Sequence, residues 1–71
     1  MMISDGIYIK KMGERIRKVR QSKNMSLEKL SKVIGITADH IGDIETKRVN
    51  TSILTLKKIA DALKVDVKKF L

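Results

Sequence analysis

The chain has 71 residues, enough for one domain with a modest core, because short chains bury a smaller fraction of the surface they expose when unfolded. It contains no cysteine, which excludes disulfide staples and thiolate metal sites, and no apolar run approaching the roughly 20 residues of a bilayer-spanning helix. Sixteen Lys and Arg against eight Asp and Glu give a net charge of +8 and a pI near 10.1, so a polyanion is the expected partner. A membrane surface is the other option for a basic chain. That mode relies on an amphipathic helix with aromatic anchors, and here there are one Tyr and one Phe. The N-terminus, Met1-Met2-Ile3-Ser4-Asp5-Gly6, lacks the basic-then-apolar order of a signal peptide, so a cytoplasmic location is expected.

Residues 1–9 read as a flexible extension, because Gly6-Ile7-Tyr8-Ile9 has strand propensity but no partner strand downstream. Packing at a dimer surface is its alternative use. Residues 10–71 then form the folded domain. From about Lys10 to Lys23, Met12, Ile16 and Val19 recur at spacings of four and three, which defines an amphipathic first helix. Its polar face is lopsided, with seven basic residues from Lys10 to Lys23 against Glu14 alone.

Asn24-Met25 breaks that period, and Ser26 before Leu27-Glu28 is a good N-cap with an acid in the first turn. The second helix runs to Val33 or Ile34, with Leu30, Val33 and Ile34 facing inward, and Gly35 supplies the left-handed C-cap. Only Gly35 and Ile36 precede the next cap, Thr37. Two short helices around such a turn make the tight, steeply crossed pair of a helix-turn-helix. Ile36, Ile41 and Ile44 pin the third helix, about 37–45, which leaves Thr37, Ala38, Asp39, His40, Gly42 and Asp43 wholly or partly outward.

The polar, basic segment from Thr46 to Thr51 has no helical period and reads as a loop. Ser52 caps a fourth helix whose Ile53, Leu56, Ile59, Ala60 and Leu63 form the clearest apolar stripe in the chain. A short last helix, about Asp66 to Leu71, carries Val65, Val67, Phe70 and Leu71 as its apolar residues. His40 is the single histidine, with no matching carboxylate pair, so neither a metal site nor general-base chemistry is expected. No cofactor, no enzymatic activity and no small-molecule ligand are expected. One chain of this size should leave no hollow of roughly 300 Å³ or more for such a ligand.

The order and spacing of Gly13-Glu14-Arg15-Ile16-Arg17-Lys18-Val19-Arg20, Ser26, Leu30, Gly35-Ile36-Thr37, Ile41, Ile44-Glu45, Leu56, Ile59-Ala60, Leu63 and Val65 resembles the phage-repressor and Cro type of helix-turn-helix, the XRE family. The similarity extends more loosely to the controller proteins of restriction-modification systems. The resemblance implies an all-α, compact five-helix, lambda-repressor-like fold. Its third helix would lie in the major groove of double-stranded DNA, and two copies would bind a palindromic operator as a homodimer. It also implies an ion pair of Arg20 with Glu45 that turns the arginine toward phosphate; the plain alternative is a surface salt bridge worth about 0–1 kcal/mol.

The chain departs from the family pattern in ways that carry information. Leu27 stands where a phosphate-contacting glutamine is common. Lys47 replaces the usual glycine after the third helix, and a left-handed lysine there would cost about 1 kcal/mol. Thr51 replaces a frequent proline. Asp39 and Asp43 occupy an outward face that usually carries uncharged or basic residues. A carboxylate accepts from cytosine N4 but is repelled by phosphates, and the alternative role of Asp39 is as a partner of the helix dipole.

These readings give a sequence-specific DNA-binding regulator, repressor-like in character. Arg15, Arg20, Ser26, Lys47, Arg48, Thr51 and Ser52 are expected at phosphates, which set register. Thr37, Ala38, Asp39, His40 and Asp43 are expected at base edges, which specify sequence. Leu54, Val67, Phe70 and Leu71 are the candidate dimer surface, with the core as an equal alternative place for them. The competing reading is a protein-interaction module, such as an antitoxin or an antagonist of another regulator, with weak DNA binding.

Overall fold

A computed structural model describes residues 5–47 and 51–71, with side chains from Lys10 onward. It contains four α-helices, α1 Asp5–Ser22, α2 Leu27–Ile34, α3 Ala38–Thr46 and α4 Ile53–Leu63, followed by a single 3-10 turn, Val67–Phe70. The expected fifth helix is thus corrected to a turn. The amides of Lys69 and Leu71 donate three residues back, to Asp66 and Lys68. Four residues are too few to propagate the four-back bonds of an α-helix.

The first helix also starts earlier than expected. In the sequence Ile9 stands three residues before Met12, so the apolar period extends back past Lys10. Residues 5–9 of the expected flexible extension are therefore helical; residues 1–4 lie outside the described residues.

Local chemistry explains the other boundaries. The hydroxyls of Ser26, Thr37 and Ser52 accept from the amides of Lys29, His40 and Thr55, each at 3.1 Å, and satisfy donors that helix starts leave unpaired. Gly35 closes α2 in the left-handed conformation, at φ 73°. Lys64 closes α4 in the same region, at φ 60°, with the Val65 amide donating to the Ala60 carbonyl at 3.0 Å. A lysine pays about 1 kcal/mol for that conformation. Packing of Val65 against the core offsets it. Lys47, for which the left-handed region was expected, sits instead at φ −107°, ψ 17°, where no such strain arises.

One core joins all the elements: Met12 and Ile16 of α1, Leu30 of α2, Ile41 and Ile44 of α3, the Leu56, Ile59, Ala60 and Leu63 stripe of α4, and Phe70. Two stripe members stay out of it. Val33 is 60% exposed and Ile53 63% exposed. Ile53 is the first residue of α4, and helical side chains lean toward the N-terminus, so it reaches past the helix end instead of onto a neighbour. Val33 borders an open groove with Lys58, Asp61 and Ala62 of α4. Leu27, by contrast, packs against the core.

At Gly13 the backbone of α1 lies close against that of α3. A methyl at Gly13 would lie 2.8 Å from the Glu45 carbonyl oxygen and nearer still to that of Ile44. Both obstacles are backbone and cannot swing aside. Gly13→Ala is therefore expected to destabilise the fold by about 1–3 kcal/mol, read as a lower urea midpoint at unchanged slope.

Candidate nucleic-acid interface

Three residues hold α3 from behind: Ile41 and Ile44 are fully buried and Glu45 is 5% exposed. Helical spacing then fixes what faces away. Asp39, Asp43 and Thr46 recur at four and three and form the central outward stripe. Ala38 and Gly42 lie toward α2, and His40 and Lys47 lie on the other flank. All five expected base-contacting residues are at the surface, with Thr37, Asp39 and His40 exposed and Ala38 and Asp43 half-buried. Thr46 belongs to the same face and was missed, because the helix was expected to end at Glu45; its hydroxyl donates to the Gly42 carbonyl at 2.8 Å.

Behind this face lies the pair of Arg20 and Glu45. Arg20 Nε donates to Glu45 Oε2 at 2.7 Å and Nη2 donates to Oε1 at 3.0 Å, a two-pronged contact, while Nη1 donates to the Met25 carbonyl at 2.9 Å. The side chains are 11% and 2% exposed, so the reading of a surface salt bridge is corrected. Three of the five guanidinium N–H groups point into the domain, which leaves two for any phosphate. Hydrogen bonding to the Glu45 carboxylate raises the Arg20 pKa above its ordinary value; burial opposes this and the carboxylate charge adds to it. A raised folded-state pKa keeps its full stabilising contribution below the unfolded value and loses it only as pH climbs through the higher one. On the arginine side, the pair is therefore intact throughout neutral and alkaline conditions.

The expected phosphate-contacting residues divide into several groups. Ser26 and Ser52 are exposed caps at the starts of α2 and α4, and Thr51 is half-buried beside the latter. Lys47 is exposed at the end of α3, with Nζ 3.3 Å from Asp43 Oδ1. Arg48 lies outside the described residues. Arg15 is not brought to this face: its Nη1 donates to the Leu71 carbonyl at 2.7 Å and ties α1 to the C-terminal turn. Its partner is 56 residues away in sequence, which no local pattern signals.

Among the expected dimer-surface residues, Leu54 is 62% exposed, Leu71 is exposed and Val67 is half-buried. Phe70 is corrected to a core residue, since it has no exposed surface. The surface of the described residues includes an open concavity of about 410 Å³ between α2 and α4 and another of about 390 Å³ between the start of α2 and α3. Among the described residues, no group of three or more His, Cys, Asp or Glu side chains is placed to hold a metal ion, and no helix is long and apolar enough to cross a membrane.

Two short helices joined through a left-handed glycine, the second pinned by its isoleucines with a polar face outward, define a helix-turn-helix domain. Residues 16–70 match the helix-turn-helix family HTH_3, and the chain belongs to that family. Among its relatives is the control protein C.SmaI of Serratia marcescens, 35% identical over 60 residues that span 84% of this chain and 71% of that one. Another is the immunity repressor protein of Bacillus phage phi105, 30% identical over 56 residues, of whose length this chain spans 39%. Its fold is similar to that of the restriction-modification controller protein C.AhdI from Aeromonas hydrophila. That match has a TM-score of 0.83 at 28% identity and covers 89% of this chain and 96% of that one. It is also similar to an HTH_3 family transcriptional regulator from Vibrio cholerae, with a TM-score of 0.87 at 25% identity over 94% of this chain and 38% of that one. The family is one of DNA-binding regulators and not of enzymes.

Replacing Glu45 with alanine would leave the Arg20 guanidinium largely buried beside a missing partner. The expected loss is about 3 kcal/mol, well above that of an exposed pair, measured by chemical denaturation against Arg20→Ala and the double variant.

Proposed function

We propose that this chain is a sequence-specific transcriptional regulator that binds a palindromic operator as a homodimer, with α3 in the major groove of each half-site. The observation that carries this reading is the outward face of α3. It is free of core duties, edged by capped helix starts and set in a chain of net charge +8. Thr37 and Ser26 accept amide hydrogens as caps, so their hydroxyl hydrogens remain to donate to a base or a phosphate. Lys47, Arg48, Thr51 and Ser52 supply further positioning contacts, and Arg20 contributes through its two remaining N–H groups. Asp39, His40 and Asp43 read base edges.

The second copy is expected on the exposed side of α4, around Leu54 with Ile53, where large apolar side chains stand in water. Leu71 adds to that surface, whereas Phe70 does not. A helix this short reads too few base pairs alone, and two half-sites about one helical turn apart supply the rest.

A salt titration of DNA affinity tests the reading, with log K expected to fall at about −0.9 per phosphate contact against log salt. Arg48→Ala should weaken all sequences alike, and Asp43→Ala should change which sequence is preferred; uniform losses from both would remove the division of labour. A shallow slope accompanied by tight binding to another protein would favour an antitoxin-like or antagonist role. Separately, Leu54→Glu should shift the chain toward monomer in sedimentation and weaken binding to paired half-sites, with its thermal midpoint close to that of the unaltered chain.

A further inference from the structure

We infer that the side of α3 turned toward α2 recognises the C5-methyl group of a pyrimidine, with Leu27, Ala38 and Gly42 as its receiving surface. This rests on the major-groove placement of α3 proposed above and names what that placement would read.

Leu27, Ala38 and Gly42 give the concavity of about 390 Å³ between the start of α2 and α3 its apolar part, the floor, and Asp39, Asp43, Thr46 and Lys47 give it a larger polar part. Ala38 and Gly42 are one helical turn apart and share a face. Gly42 has no side chain, and Leu27 Cδ1 lies 3.5 Å from the position a Gly42 Cβ would take, so the leucine overhangs the glycine. Leu27 is itself half-buried and packed against the core, which fixes its position. Neither the Leu27 nor the Ala38 side chain can donate or accept a hydrogen bond. Asp39 and Asp43 stand at the rim, with Lys47 3.3 Å from one Asp43 oxygen.

Chemistry limits what such a surface can meet. The major-groove edge of a base pair offers hydrogen-bond donors, acceptors, the small C5–H of cytosine and, as its one protruding apolar group, the methyl at C5. An apolar floor placed against a polar group would strip its water and return nothing; placed against a methyl, it buries apolar surface. The carboxylates beside it accept from exocyclic amines, N6 of adenine or N4 of cytosine. Thymine and 5-methylcytosine both carry the methyl, and the second also presents an amine beside it.

The test begins with the preferred site, selected from random DNA. Each thymine is replaced in turn by deoxyuridine, which removes only the methyl, and each cytosine by 5-methylcytosine. If thymine is the source, one symmetry-related position should lose about four-fold in affinity on conversion to uracil; if 5-methylcytosine is, one should gain by a similar factor. Two variants check the surface. Leu27→Gln puts a polar group over the floor. Gly42→Ala fills the floor with a methyl that meets Leu27 at ordinary contact distance and suits a helix better than glycine, so this variant should fold and keep the salt slope. Both should bring the affinity ratio with and without the C5-methyl to near one. A clear sequence preference with equal affinities at every methyl position overturns this inference and leaves the proposed function standing, as does a methyl effect that survives both variants. Absence of any sequence preference overturns both.

Discussion

The guanidinium of Arg20 touches three parts of the chain at once. It closes a two-pronged contact on Glu45 in the last turn of α3, and its third nitrogen holds the Met25 carbonyl on the way into α2. A planar fork on a planar carboxylate tolerates little rotation, so the contact sets the roll of α3 about its own axis. That roll decides which residues face outward. A lysine could carry the charge but not the geometry. Burial makes the pair costly to form and more costly to break, so its clearest effect is on orientation and not on net stability.

The approach at Gly13 completes this arrangement. With no side chain there, the α1 backbone lies against the final carbonyls of α3, while Ile41 and Ile44 seat beside Ile16 and Leu30 in the shared core. The outward face is thereby left to chemistry alone. Its charge runs against that of the molecule, since it carries Asp39 and Asp43 in a chain of net charge +8. Attraction to a polyanion has to come from the surrounding basic residues. Under the proposed function the face of α3 is left to discriminate, and a wrong sequence would meet carboxylates without amines to satisfy them.

Much of this was legible in the sequence because it is local. Ser26, Gly35, Thr37 and Ser52 mark helix ends by interactions within three or four residues, and all four act as expected. The inward isoleucines of α3 follow from spacing alone. Features that depend on distant chain were not legible. Val33 and Ile53 fit apolar stripes, but whether such a residue is covered depends on where the neighbouring helix passes. Phe70 looked equally suited to an interface and a core, and only the packing of the final turn on α1 and α4 separates the two. Arg15 reads as one more basic residue until its partner appears at the far end of the chain. Gly13 offered a signal, a glycine inside a strong helical period, but not the identity of what approaches it.

The length of α3 has a consequence for what can be taken apart. Isolated helices shorter than about 12–15 residues are marginal in water, and this one has nine residues with a glycine inside. Its capping hydroxyl and first-turn acid are too weak to order it alone. A synthetic peptide spanning the helix would be a disordered chain bearing the right letters in no fixed arrangement. The outward face of α3 belongs to the whole domain, and grafting its residues onto another scaffold would transfer the side chains without the angle at which the domain holds them.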